Sequence, residues 1–369
     1  MAKAFVSMNP TENFTTLPLV SIIVPVFNGE RYLRESLDSM LAQTYPQTEV
    51  LVMDDASTDT TPAIIASYGD KVNSHRQPQN RGIYGNVNDG LAMARGEYIA
   101  VYHADDIYHS MIVEHEVAFL ERYPEAGAVF CQDIFIDAQG REYGRLELPP
   151  EVRGGRPLPY PVILNALLQY KNLFLCCPTS MVRAAVYRDV GTYRDKEFRN
   201  NADLEMWLRI AEKYSIGILE EYLLRYRHGH SSSSQRYHYL RTDPERHFQI
   251  TDLYLDPRGR TVATPAALAA HAAHRAEDRL MRTINHYILD QCREARTILR
   301  QVQAGQILGS PRIQRGRLLV LFLLLQILLR APRVPLIAHL FYRRWHIKKY
   351  DLKKPFTQRL FNCGEASRL

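Results

Sequence analysis

The chain has 369 residues, 46% of them apolar and 23% charged, which fits an ordinary folded protein of one large domain with an appendage, or of two domains. Its five cysteines are odd in number and none stands in CxxC or CxxxC spacing, which argues against a disulfide framework or a zinc site and for a reducing compartment. The net charge of +6 is local: eleven Lys/Arg face one acid, Asp351, between Arg312 and Lys354, so the rest of the chain is net acidic and nucleic-acid binding is not implied.

Residues 1–17 are polar and expected to form a poorly ordered tail; no apolar core of a secretory signal is visible in them, and the expected location is the cytoplasm or the cytoplasmic face of a membrane. Val20-Ser21-Ile22-Ile23-Val24 is a β-branched run expected as a strand buried on both faces and stopping at Pro25 and the turn Asn28-Gly29. A helix with Leu33, Leu37, Met40 and Leu41 on one face follows, closed by Pro46. The strand Val50–Met53 runs into Asp54-Asp55-Ala56-Ser57-Thr58-Asp59, where Ser57 or Asp59 is placed to cap a helix carrying Ile64, Ile65 and Tyr68. A helix through Ile83, Val87 and Leu91 ends near Gly96, and the strand Glu97–Val101 leads into Tyr102-His103-Ala104-Asp105-Asp106. Such strand–helix units predict an α/β fold with a mostly parallel sheet flanked by helices.

Asp105 and Asp106, adjacent carboxylates at the end of a core strand, repel each other and are costly to desolvate. They suggest a hard cation, magnesium or manganese, and through it a phosphate; the plain alternative is a solvated turn opening the next helix. Ligands bind beyond the carboxyl ends of strands in parallel sheets, and the acidic clusters all sit there. Further on the pattern predicts a helix from Ser110 to Tyr123, a strand Ala128–Cys131, a turn Asp137–Gly140 and a surface loop from Pro149 to Pro161. A helix over 162–170 and extended chain over 173–183 follow; Asn200–Asp203 opens a helix with Leu204, Trp207, Leu208 and Ala211 on one face. A strand over 216–227 precedes His228-Gly229-His230 and four serines expected as a mobile loop, and Pro265 to Gln303 is helical by pattern. Leu318–Leu329 and Leu336–Tyr342 are apolar but short for a bilayer span; with flanking arginines and Trp345 they suit a helix lying on an anionic membrane surface, against the alternatives of packing on the preceding domain and of true insertion.

Val24-Pro25-Val26-Phe27-Asn28, the acidic run 54–59, Asn80-Arg81-Gly82, Asn88, Gly96-Glu97-Tyr98, His103–Asp106 and Asp203-Leu204-Glu205-Met206-Trp207-Leu208-Arg209 together resemble the family 2 inverting glycosyltransferases over about residues 18–230. The resemblance implies a GT-A type fold, with a nucleotide-sugar half at 18–131, an acceptor half at 132–240, a helical extension at 241–310 and a basic, apolar segment at 311–369. It makes Pro25, Phe27 and Asn28 the wall under the nucleobase, Asp55 the acceptor of the base N–H, Gly82 and Asn88 parts of the nucleotide pocket, and Asp105 the residue facing ribose or metal. Asp106 matches the direct ligand of Mg2+ or Mn2+; His228 or His230 falls in a tract that often touches the metal. The commoner family form is Asp-Ala-Asp-Asp, so His103 is a departure that brings no fixed charge. Asp203 matches the general base, its ionised form favoured at a helix N-terminus. Glu205 falls on another face, Trp207 in the core, and Arg227 pairs with phosphate or with an acid of the fold. The function implied is inverting, metal-dependent transfer from a nucleotide-diphosphate sugar, most naturally a UDP-sugar, to a glycan or lipid-linked glycan precursor of a surface polysaccharide. The alternatives are a polyprenyl-phosphate glycosyltransferase and a non-catalytic nucleotide-sugar-binding protein of the same fold.

Overall fold

The computed structural model describes residues 17–228, 240–309 and 312–343. Within them β1 (Val20–Val26), β2 (Thr48–Asp54), β3 (Asn73–Arg76), β4 (Tyr98–Val101), β5 (Ile107–Tyr108), β6 (Ala126–Ile136), β7 (Glu142–Arg145), β8 (Ser180–Arg183) and β9 (Ser215–Arg227) form one sheet in the order β3-β2-β1-β4-β8-β6-β9-β5, with β7 on β6. β1 to β4, β6 and β9 run one way; β5, β7 and β8 run against them.

The alternation of side chains along β1 and β2 explains the burial of this sheet on both faces. Ile22, Val24, Val50 and Val52 enter one core with Leu37 and Val117, while Ile23, Leu51 and Met53 enter the other with Val101, Phe130 and Trp207. Helices Leu33–Leu41 and Ile112–Arg122 cover the first face, and Ile83–Met93, Tyr160–Tyr170 and Ala202–Ala211 the second.

Two expectations need correction, and one strand has no sequence signal. Pro25 lies inside β1, paired with Met53, because β4 ends at Val101, opposite Ile23, and leaves β1 with one neighbour there. β3, Asn-Ser-His-Arg, is exposed along its length at the sheet edge, so no apolar run announces it. The helical span expected from 265 to 303 is two helices, Pro265–Ile288 and Cys292–Leu299, broken where Asp290 takes φ of 63°. The first of these meets the sheet domain through Asn165, whose amide donates to Val262 O at 2.9 Å and accepts from Thr264 N at 2.7 Å. Its second half joins helices Arg312–Leu328 and Pro335–Tyr342 around a separate core of Leu280, Ile284, Tyr287, Leu325 and Phe341.

Candidate active site

The loops after β1 and β2 are stitched together. Asp55 N donates to Val26 O at 2.8 Å, Asn28 N to Ser57 Oγ at 2.9 Å, and Thr58 N to Asn28 Oδ1 at 2.8 Å. Asn28 and Ala56 both hold positive φ, 52° and 62°, a conformation that the cross-loop bonds sustain. Asp59, not Ser57, serves the next helix, accepting from Thr61 N at 2.9 Å and from Glu30 N at 3.1 Å. Pro25 ends buried in β1 while Phe27 stands 51% exposed, an apolar surface beside the loop.

Buried Asp55 accepts Arg81 N at 2.7 Å and Gly82 N at 3.0 Å, one on each carboxylate oxygen. Burial outweighs these bonds and holds its pKa above the usual carboxylate range. Each oxygen keeps a second lone pair for a ligand N–H. Gly82 takes φ of 76° with open space around it, so backbone conformation rather than crowding calls for glycine. The Asn88 amide is engaged at both ends by Tyr193, donating to its carbonyl at 2.8 Å and accepting its N–H at 2.9 Å, which makes it a strut of this wall.

After β4 the chain turns sharply, with Tyr102 stacked on Tyr108 at 4.0 Å and His103 N donating to the Tyr108 hydroxyl at 2.6 Å. Ligating atoms of His103, Asp105 and Asp106 lie within 4.8 Å of one another, the metal-capable group among the described residues. Asp106 is fully buried; its Oδ1 accepts Arg227 N at 2.7 Å, and its Oδ2 meets no hydrogen-bond partner. Burial, then the neighbouring Asp105 charge, pushes the Asp106 pKa well up. An orphaned carboxylate oxygen at such a depth, beside a second carboxylate, fits a hard divalent cation. Burial lowers the His103 pKa and so favours the neutral imidazole, and its Nε2 also lacks a hydrogen-bond partner.

Arg227 is the side chain that holds this turn. It donates from Nε to Asp105 O at 2.8 Å and from Nη2 to Glu35 Oε2 at 2.6 Å, and lies 4.4 Å over the Tyr32 ring. Of its two expected partners, the acid of the fold is the one seen. The His228 ring packs edge-on against Tyr226 at 4.6 Å and Phe135 at 4.9 Å and falls outside the metal-capable group, while His230 and Ser231–Ser234 lie outside the described residues.

Asp203 is the second residue of helix Ala202–Ala211, whose cap position is Asn201. Its carboxylate accepts the Leu204 N–H and the Tyr84 hydroxyl, yet burial raises its pKa to about 6. The helix end alone would lower this pKa; desolvation outweighs it, so the shift is upward, although the carboxylate stays ionised at neutral pH. Trp207 is fully buried, edge-on to Phe130 at 4.9 Å, and Glu205 is buried in ion pairs with Arg209 at 2.8 Å and Arg194 at 3.2 Å. Trp207 is in the core as its helical position predicted; the buried ion pairs of Glu205 are added by the structure.

Two residues escaped the sequence analysis. Asp133 on β6 is buried, accepts a hydrogen bond from the Cys176 thiol, and has its pKa raised by burial to about 6. It adds negative potential at Asp106, and Cys176 feels Asp133, Asp106 and Asp203 alike, so this pair bridges the carboxylate turn and the head of the Asp203 helix. The available signal was a lone carboxylate inside the apolar run of β6.

The model described as "Glycosyl transferase family 2" matches residues 21–191. The putative glycosyltransferase EpsE of Bacillus subtilis is 33% identical over 225 residues, which is 59% of this chain and 76% of that protein. An uncharacterized glycosyltransferase of Rickettsia typhi is 31% identical over 214 residues, 58% of this chain; the match spans 65% of that relative, just under two thirds of its length. Among solved structures, residues 1–349 of S. aureus TarS superpose with a TM-score of 0.54 at 18% identity, covering 85% of this chain and 91% of that one, a likeness of fold of the GT-A type. By sequence motif, by relatives and by fold, the chain belongs to glycosyl transferase family 2.

Proposed function

We propose that this chain transfers a sugar, with inversion, from a nucleotide-diphosphate sugar to a hydroxyl of a glycan or lipid-linked glycan precursor in surface-polysaccharide synthesis. The observation that carries this reading is the partnerless, fully buried Oδ2 of Asp106 within the His103–Asp105–Asp106 group. Asp106 and Asp105 are the residues to hold Mg2+ or Mn2+, with His103 beside them; such a cation, when bound, neutralises the charge that develops on a leaving diphosphate. Pro25, Phe27, Asn28, Asp55 and Gly82 line the nucleotide side, Asp55 accepting the ring N–H of a uracil and Asn88 bracing the wall. TarS, a protein of this fold, was crystallised with UDP and with UDP-GlcNAc, which makes uridine diphosphate the nucleotide to test first. Asp203 removes the acceptor proton as the new bond forms from the face opposite the leaving group, and the Tyr84 hydroxyl orients it. Its pKa of about 6 leaves it ionised at neutral pH and still basic enough to take a proton, which favours a catalyst over a binding protein that has lost turnover. A lipid-linked acceptor lies at a membrane, so attachment to an anionic membrane surface belongs to the same reading.

The test is calorimetric titration of UDP with and without manganese. Wild-type affinity is expected to rise about tenfold or more with the ion, and Asp106→Ala to abolish that increment. An equal manganese effect in both proteins rules out the assigned ligand. Release of UDP from UDP-sugars over an acceptor panel then separates transfer from binding.

A further inference from the structure

The C-terminal helices carry two apolar faces, and only one is used. On helix Arg312–Leu328 the residues Leu318, Leu321, Phe322 and Leu325 are buried against the long helix Pro265–Ile288 and against Ala338 and Phe341 of helix Pro335–Tyr342. The outward side is also apolar: Val320, Leu323, Ile327, Leu336 and Leu340 are 54–67% exposed. Val320, Leu323 and Ile327 are spaced i, i+3, i+7, so they share a stripe, and Leu336 and Leu340 repeat it at i, i+4 on the shorter helix. A helix apolar all round with half its circumference in water is costly for a protein surrounded by water alone.

Charge decides what meets this face. From Arg312 to Arg343 the sequence contains six arginines and no acid. Arg317 and Arg330, near the two ends of the long stripe, and Arg343 after the short one are exposed. Arg333 closes the corner between the helices, donating to Tyr287 O at 3.0 Å and Ile288 O at 2.9 Å, so the two stripes are held in fixed relation. No described helix is long and apolar enough to cross a bilayer. Leucines and isoleucines ringed by arginines on a helix too short to span suit the boundary of headgroups and acyl chains, where apolar side chains enter and guanidinium groups meet lipid phosphates. A second copy of the chain is disfavoured as the occupant, because a symmetric contact sets arginines against arginines and neither helix carries an acid to offset them.

We propose that the outward face of helices Arg312–Leu328 and Pro335–Tyr342 docks the protein in the plane of an anionic bilayer through Val320, Leu323, Ile327, Leu336 and Leu340. This deepens the membrane attachment of the proposed function. It is tested without donor, acceptor or metal, so its failure leaves the transferase reading intact.

The experiment is co-sedimentation of the full chain with phosphatidylcholine vesicles, with and without phosphatidylglycerol, together with sedimentation velocity in the absence of lipid. The wild type is expected to pellet with the anionic vesicles and to be released by salt. Leu323→Gln combined with Ile327→Gln should weaken binding by about tenfold or more, since each change removes a buried aliphatic side chain from the lipid. Both positions face solvent, and an unchanged calorimetric unfolding transition of the C-terminal core shows that the variant is folded. Equal binding by variant and wild type overturns the proposal. So does equal pelleting with neutral and anionic vesicles, or a wild-type dimer that the double substitution dissociates while neither protein binds vesicles.

Discussion

Asp203 draws together opposing residue-scale forces. The N–H of Leu204 and the hydroxyl of Tyr84 favour its carboxylate, while burial favours the acid and prevails, bringing the pKa to about 6. A base must be unprotonated to act, so kcat/KM is expected to rise with pH through about 6 and level off above it, a limb that a pH–rate profile reads directly. Asp203→Asn should lower kcat by about 10²–10⁴-fold with UDP affinity unchanged, and a variant retaining full transfer would exclude Asp203 as the base. The same shift acts on stability. Because the native pKa exceeds the ordinary value of 3.8, the folded protein holds a proton that the unfolded chain has lost between about pH 4 and 6. Stability from this group is greatest below that window and is lost as pH rises through it. Asp203→Asn is therefore expected to be more stable than the wild type at pH 7, on the order of 2 kcal/mol, with the gain vanishing near pH 4 in denaturant titrations. Gly82 is simpler: at φ of 76° an alanine is strained, and Gly82→Ala should cost about 1 kcal/mol and weaken UDP binding through the loop that Asp55 holds.

At the scale of elements, the carboxylate turn after β4 is held from a distant strand. Arg227, the last residue of β9, supplies its backbone N–H to Asp106 and its guanidinium to Asp105 O and Glu35. Its side chain is 2% exposed and Glu35 is 54% exposed, so the two ends of this ion pair are not equivalent. Removing the buried member strands backbone carbonyls and leaves a void, whereas Glu35 alone can return to water. Arg227→Ala is expected to cost about 3 kcal/mol and to weaken the manganese-dependent part of UDP binding. Glu35→Gln should change stability by less than about 1 kcal/mol; equal losses in thermal unfolding would contradict the asymmetry. The turn's neighbours within the sequence, Tyr102 and Tyr108, stack on each other, but nothing local announced Arg227 as its brace.

On the whole-molecule scale, the sheet domain and the C-terminal helices have separate cores, joined along helix Pro265–Ile288. Ala267 at its start is buried in the sheet domain's core, and Leu280, Ile284 and Tyr287 lie in the other. Leu280→Ala should destabilise the C-terminal core by about 2–5 kcal/mol while UDP affinity stays as in the wild type, read by calorimetry of unfolding and of binding. Loss of nucleotide binding in that variant would show that the two cores do not act separately.

The sequence by itself determined β1, β2 and β4, because apolar runs buried on both faces and bounded by turn residues admit few alternatives. It also determined where the acids fall, since strand ends are marked by the end of the apolar run: Asp55, Asp105 and Asp106 were identified there and stand there. The core position of Trp207 followed from helical spacing. Only the tertiary structure revealed β3, whose exposed edge carries no apolar signal, and the Asp133–Cys176 pair, which joins residues 43 apart. It alone decided that Arg227 braces the turn, that the His228 ring packs on Phe135 and Tyr226, and that the Asp203 pKa rises rather than falls. Each of these depends on burial and on long-range neighbours. Desolvation is set by everything packed around a group, and no window of local sequence contains it.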